Sequence, residues 1–285
     1  MKADLLTLGA IFLWASLASL VTLLSDIPPL LLTGIGLIIG AAVSIPSLRF
    51  GIKPWKVPAK TLLLGVYGLF GYHLMLFLAL QNAPAVEANL VNYLWPLLIV
   101  LLSPIFTKSL TLNFRYVLAA ISGFAGAVIA ITYNGSGLES LSIEVGYFFA
   151  LVAAVIWATY SLATTKVPSF PTPAIGLFAL VSGVLAIGAH FIFEPAAAIS
   201  SSDWLLLVIL GAGPLGGAFY LWDAALKIGD PRRIGLLAFL TPLLSTALLV
   251  VVSGDSLSWQ LLLATALVVG GALLGPRTAR ESKTK

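Results

Sequence analysis

Ten runs of apolar residues divide the sequence, each close to the roughly 20 residues that an α-helix needs to cross a bilayer core. They lie near 4–24, 29–48, 60–80, 85–107, 113–133, 144–165, 172–193, 204–226, 232–253 and 257–275. In lipid no water bonds the backbone, so each run must satisfy its own N–H and C=O groups, as a helix does. Strands of a membrane barrel would alternate apolar and polar residues over about ten positions. These runs are apolar throughout, which reads as an all-α membrane protein of ten transmembrane helices. Composition agrees: 60% of the residues are hydrophobic and 9% charged, against about 25% charged in soluble domains. The short links leave no room for a soluble domain. The first run is too long for the core of a cleaved signal peptide, and its charged start is only Lys2 with Asp4.

Charge sets the orientation. With ten spans, one side takes both termini and the links after spans two, four, six and eight. That side holds all 15 Lys and Arg residues. The other collects Asp26, Glu87, Glu139, Glu144, Glu194, Asp203 and Asp255. Basic loops stay cytoplasmic, so both termini read as cytoplasmic. The net charge of +4 then serves topology and lipid head groups. Bases scattered over many loops without aromatics do not make a nucleic-acid groove. With no cysteine, disulfides and thiolate metal sites are excluded, and nothing in the sequence asks for a cofactor or a metal.

One pattern is written twice. "LQNAPAVEANLVNYLWPLL" at 80–98 aligns without a gap on "LKIGDPRRIGLLAFLTPLL" at 226–244. Gln81 and Glu87 in the first copy become Lys227 and Arg233 in the second. The first joins spans three and four, on the outer side; the second joins spans eight and nine, on the inner side. Each copy carries the charge of its side. Gly65 with Gly211, Gly71 with Gly217 and Pro96 with Pro242 share the offset, and "LWAS" at 13–16 pairs with "IWAT" at 156–159 in a nearby register. The organisation is therefore a first five-helix repeat at 1–133, an external linker at 134–143, a second repeat of inverted topology at 144–276 and a cytoplasmic tail at 277–285. Inverted repeats are the construction of many secondary transporters, where two halves exchange roles about one midplane site.

The stretches "YLWPLLIVLLSPIF" (93–106) and "FLTPLLSTALLVVVSGDSLSW" (239–259), each followed by a Gly-rich helix, resemble the drug/metabolite transporter superfamily of the EamA type. "ALQNAPAVEANLVNYLWPLL" (79–98) is similar, more narrowly, to the aromatic amino-acid exporters of the bacterial inner membrane. The resemblance implies export of aromatic and some other neutral amino acids by a multi-pass protein.

Depth sorts the candidate site residues. Of seven tryptophans, Trp55, Trp204 and Trp259 fall at span ends, where interfacial belts account for them, and Trp222 reads similarly. Trp14, Trp95 and Trp157 lie mid-span. Trp14 and Trp157 occupy equivalent places in the repeats, which would set their rings on opposite sides of a central space. On span four, Asn89, Asn92, Tyr93 and Pro96 share a helical face. An amide turned to lipid is costly, so this face looks inward. Asn92 fits a cavity or an interhelical bond equally. Thr241 and Pro242 stand at the corresponding place in span nine. His73, beside Tyr72 in span three, is an intramembrane ionisable group and so a functional candidate. The expected substrate-binding set is Trp14, Tyr72, His73, Asn89, Tyr93, Trp95 and Trp157. His190 reads as interfacial, Asp223 as a gate or helix-end contact, and Trp157, Tyr160, Ser161 and Thr164 as a polar stripe along an inner exit. Gly36 with Gly40, Gly213 with Gly217 and Gly271 with Gly275 read as packing within the bundle rather than as oligomer faces.

No Lys or Arg stands mid-membrane to meet a phosphate, and no acidic pair stands there to relay protons. The reading is an exporter of small neutral or zwitterionic solutes with apolar side chains, not an enzyme. A broader drug and metabolite exporter is the alternative. A serine–histidine hydrolase built on His73 lacks a G-x-S-x-G elbow. The sequence has no GxxxxGK[ST] loop for ATP.

Overall fold

The runs form helical rods. The computed structural model describes residues 1–49, 51–132, 144–253 and 258–274, with the backbone alone at 249–253. Among these residues all regular structure is helical. Helix α1 is Lys2–Leu23, α2 Pro29–Ala42, α3 Ala59–Gln81, α4 Ala85–Phe106 and α5 Phe114–Thr132. Helix α6 is Val145–Ala163, α7 Thr172–Phe193 and α8 Asp203–Ile228. Helix α9 comprises Pro231–Ala238 and Leu240–Ser253, and α10 is Trp259–Leu274. Among the described residues seven helices, α1 and α3 to α8, are long and apolar enough to cross a membrane. The run at 29–48 is shorter than its apolar length: α2 stops at Ala42, and a single turn, Ile45–Leu48, follows around Pro46. The linker at 134–143, with its Asn134-Gly135-Ser136 sequon form, and the tail at 277–285 lie outside the described residues.

The internal repeat is visible as two matched irregularities. Helix α3 widens into a π-helical turn at Tyr67–Gly71, and α8 does so at Gly213–Gly217, at the offset that aligns the two quoted stretches. Helix α4 breaks between Ala85–Asn92 and Trp95–Phe106, and α9 breaks at Phe239, the counterpart of Tyr93. Proline explains both breaks. Pro96 and Pro242 have no N–H to give the carbonyls of Asn92 and Ala238 four residues earlier, and each ring crowds that carbonyl. The start of α9 is also local: Asp230 caps it, accepting from the Arg232 N–H at 2.9 Å, and Pro231 takes the first helical position.

Packing interleaves the halves. Helix α5 lies on α10, α2 on α7, α1 on α8 and α9, and α6 on α3 and α4. Each of these pairings joins one helix from each repeat. Between helices in lipid there is little hydrophobic drive, so close fit and small residues carry association. At the α2–α7 crossing the backbones touch: a methyl on Gly183 would lie 2.8 Å from the Gly34 carbonyl oxygen, and one on Gly34 would lie 3.0 Å from that of Gly183. Gly36 and Gly40 similarly admit α8, and Gly271 faces the Ala119 carbonyl of α5, so these are contacts within the bundle; Gly275 is outside the described residues. The bundle's outer surface carries Phe12, Leu205 and Phe191 at 73%, 69% and 78% exposure, an apolar face suited to lipid.

His190 departs from the interfacial expectation. It is buried, and its Nδ1 lies 2.8 Å from Glu194 Oε2. Glu194 in turn accepts from the N–H groups of Leu30 (2.7 Å) and Leu31 (3.2 Å). The start of α2 follows Pro28 and Pro29, which supply no capping side chain. A carboxylate from α7 therefore takes the exposed helix-start donors and complements the positive end of the helix dipole. Glu87, expected as an outer loop charge, is also buried and accepts from the Tyr147 hydroxyl.

Candidate functional site

Helix α1 is interrupted at Ser16, whose hydroxyl donates to the Leu13 carbonyl at 2.7 Å, two residues past Trp14. The Trp14 ring meets four others: Trp157 (5.8 Å) and Trp95 (6.2 Å) edge-on, Trp222 (5.2 Å) and Phe219 (6.0 Å) tilted. Trp157 also packs on Tyr72 at 5.3 Å and on Tyr160 at 5.4 Å. Edge-on and tilted geometries suit ring quadrupoles, so the cluster is a cohesive floor. The expectation that Trp14 and Trp157 face each other across open space is corrected: the two indoles are bulky enough to fill the gap between α1 and α6 and touch.

A cavity of about 580 Å³ rests on this floor, a volume within the ~300–1,000 Å³ common for small-molecule sites. Trp14, Tyr72, His73, Asn89, Tyr93, Trp95 and Trp157 all line it. Its described lining contains no Asp, Glu, Lys or Arg. His73 Nδ1 lies 2.6 Å from the Leu69 carbonyl oxygen, so that nitrogen carries a proton and donates, and Nε2 is an acceptor whenever the ring is neutral. Asn92 divides its amide. The nitrogen donates to the Tyr72 hydroxyl at 3.2 Å, while the oxygen is buried with no partner among the described residues. The Thr241 hydroxyl is likewise buried and unpartnered. Such groups cost about 1–3 kcal/mol each when left unpaired, and both border the cavity, where a solute or water can pair them.

Sequence reasoning missed Phe219, Ser245 and Thr246, which line the same cavity. The signal was available in the repeat. The offset that carries Tyr93 onto Phe239 carries His73 onto Phe219, and Ile99 and Val100 onto Ser245 and Thr246. Trp222, read as interfacial, is 1% exposed and packs against Trp14 in the floor.

Among the described residues the cavity's lining reaches helix ends on one face. Its rim includes Val21 near the end of α1, Leu80 near the end of α3, Ala85 at the start of α4 and Ile131 near the end of α5. These helix ends all lie on the face whose connections lack Lys and Arg. The opposite face is shut. The Trp222 N–H donates to the Ser161 hydroxyl at 3.1 Å, closing the stripe expected along an inner exit. Asp223 pairs with Lys227 at 2.5 Å, and Lys227 also donates to Thr172 at 3.1 Å and lies 4.2 Å from the Phe170 ring centre. Arg233 grips Asp4 through two bonds of 2.7 and 3.1 Å, tying α9 to α1. Arg232 binds Asp230 and the Thr111 carbonyl.

A family comparison meets this arrangement at both repeats. The EamA-like transporter family matches residues 1–132 and 144–275. The chain belongs to the EamA-like transporter family. The two matched segments coincide with the halves that share the π-helical turn and the proline break. A protein of Ancylobacter novellus named aromatic amino acid exporter YddG is 41% identical over 288 residues, covering 98% of this chain and 99% of that protein. The protein of the same name from Escherichia coli strain K12 is 28% identical, covering 96% of each. A crystal structure superimposes with a TM-score of 0.88 at 40% identity, covering 96% of this chain and 97% of that one.

Proposed function

We propose that this chain exports aromatic and other neutral amino acids across the bacterial inner membrane by alternating access. It crosses the bilayer ten times with both termini in the cytoplasm, as two inverted five-helix repeats at 1–133 and 144–276. The observation that carries the reading is a tryptophan-floored cavity without charged residues in its described lining, which reaches helix ends on the face without basic residues. By the positive-inside rule that face is external, so the cavity is outward-open. The indole floor suits an aromatic or aliphatic side chain. The polar groups at Asn89, Asn92, Thr241 and His73 Nε2 suit an ammonium and a carboxylate. Trp14, Tyr72, His73, Asn89, Tyr93, Trp95 and Trp157 are the substrate-binding residues in this reading. The names of the similar proteins support an amino-acid solute.

Two repeats related by inversion can exchange conformations, so the same site opens to each side in turn. No catalytic machinery is assigned; the chain works as a transporter. The deciding experiment is counterflow in proteoliposomes loaded with unlabelled phenylalanine. Labelled phenylalanine, tryptophan and leucine accumulate transiently inside, and labelled aspartate and lysine do not. Uptake of aspartate or lysine at a comparable rate would reject the uncharged site, and competition by lipophilic drugs at equal concentration would favour the broader exporter.

A further inference from the structure

Two residues of the cavity wall keep a polar atom without a partner, and each stands beside a helix break. Asn92 is 4% exposed and Thr241 5%. The Asn92 amide nitrogen is used on the Tyr72 hydroxyl, which leaves Oδ1 as the free atom. The Thr241 hydroxyl could bond a carbonyl one turn back, as threonines in helices often do, and it does not. Asn92 ends the piece Ala85–Asn92, and Thr241 follows the piece Pro231–Ala238 by three residues. The end of each piece is the negative pole of its helix dipole. Pro96 and Pro242 withhold the N–H groups that the Asn92 and Ala238 carbonyls would otherwise receive. Donors in the same wall are fewer. The Thr22 and Thr246 hydroxyls are spent on the carbonyls of Ala18 and Ala130, and the described lining holds no Lys or Arg.

We infer that Asn92 Oδ1 and Thr241 Oγ1 hold the solute's ammonium group, and that the cavity therefore takes arylalkyl monoamines, such as phenethylamine and tryptamine, as a second class of solute. This rests on the transport reading above. An ammonium brings three donors and a positive charge to a place that offers acceptors and no competing cation. An ion leaves water only where the protein replaces its hydrogen bonds, and the two unpartnered atoms are available to do so. A lone carboxylate meets the opposite conditions. It would enter a wall without a cation and lie near the negative ends of two helix pieces, so arylalkyl acids are refused. In an amino acid the carboxylate arrives beside its own ammonium, and the uncharged donors of Asn89, Tyr72 and Tyr93 suffice for it. The carboxylate is thus tolerated rather than required, and the aryl group rests on the Trp14, Trp95 and Trp157 floor in either class.

Tryptophan fluorescence of the purified chain in detergent reads binding without transport. At neutral pH phenethylamine and 3-phenylpropionate are both ionised, since amines titrate near about 10 and carboxylic acids near about 4. Phenethylamine binds about tenfold or more tightly than 3-phenylpropionate. Thr241→Val keeps the side-chain volume, removes the hydroxyl, and weakens phenethylamine about tenfold while leaving 3-phenylpropionate unchanged; Thr241→Ser restores the amine. If Thr241→Val does not fold, Asn92→Leu gives the same selective loss. In proteoliposomes, internal phenethylamine drives uptake of labelled phenylalanine as internal phenylalanine does. Binding of the acid as tightly as the amine, or an amine affinity indifferent to both substitutions, overturns the ammonium site and leaves transport standing. An amine that binds but drives no exchange, in vesicles active with phenylalanine, overturns the second solute class. Vesicles inactive with phenylalanine itself remove the transport reading and the second class with it.

Discussion

Trp14 touches four aromatic rings, so removing it alters the floor of the cavity as a whole. Trp14→Ala lowers phenylalanine counterflow about tenfold or more. Its packing loss is also large, since a buried tryptophan truncation costs about 3–5 kcal/mol. Trp14→Phe keeps most of that packing, and a single symmetric peak in size-exclusion chromatography checks that both variants are folded. Flux unchanged in Trp14→Ala would place the solute path elsewhere. Glu194 makes a different kind of point. Glu194→Ala strips the Leu30 and Leu31 N–H groups and His190 of their shared acceptor. Thermal unfolding in detergent should register a loss of about 2 kcal/mol or more, with solute specificity unaltered. The seven cavity residues were legible because aromatic and amide groups stand out in an apolar run. Phe219 was not, because a phenylalanine in a membrane helix is ordinary; only its equivalence to His73 distinguishes it.

At the scale of elements, the broken helices decide where the cavity lies. Pro96 and Pro242 are readable as helix disruptors, and the sequence places a freed carbonyl at Asn92. It does not say which pieces of α4 and α9 are in contact. Gly235→Val tests the contact that is made. A branched side chain there meets the Pro96 carbonyl and the Ile99 and Val100 methyls, and overpacking of this kind costs about 1–3 kcal/mol. The penalty falls on the conformation in which this crossing is made. A cysteine at Thr164, on the shut face, should therefore react with maleimide several-fold faster in the Gly235→Val background, in line with a coupling of about 1–3 kcal/mol. Equal rates in the two backgrounds would show that the crossing does not hold this face shut.

For the whole molecule, orientation is the claim on which the direction of export depends. Gln81, at the end of α3, and Ile228, at the end of α8 and next to Lys227, the counterpart of Gln81, are both exposed. In intact cells an impermeant maleimide should label Gln81→Cys and spare Ile228→Cys until the membrane is opened. Labelling of both from the same side would contradict the inverted repeat. The ion pairs on the shut face, Arg233 with Asp4 and Lys227 with Asp223, use residues that also set topology. Arg233 thus ties α9 to α1, while Lys227 and Asp223 pair within α8.

The sequence alone determined what depends on the solvent: long apolar runs, basic residues confined to alternate connections and the ends, and a duplicated pattern whose charges differ between its copies. These are one-dimensional consequences of hydration energy, so they can be read one residue at a time. Only the tertiary structure decided that the halves interleave, that Trp14 and Trp157 touch, that Trp222 is buried, and that Glu194 caps a helix more than 160 residues away in the chain. Those outcomes depend on close packing between segments remote in sequence, where a glycine or a proline sets the approach of two backbones. Which end of the bundle the cavity's lining reaches belongs to the same class, because it depends on how the helix pieces pack.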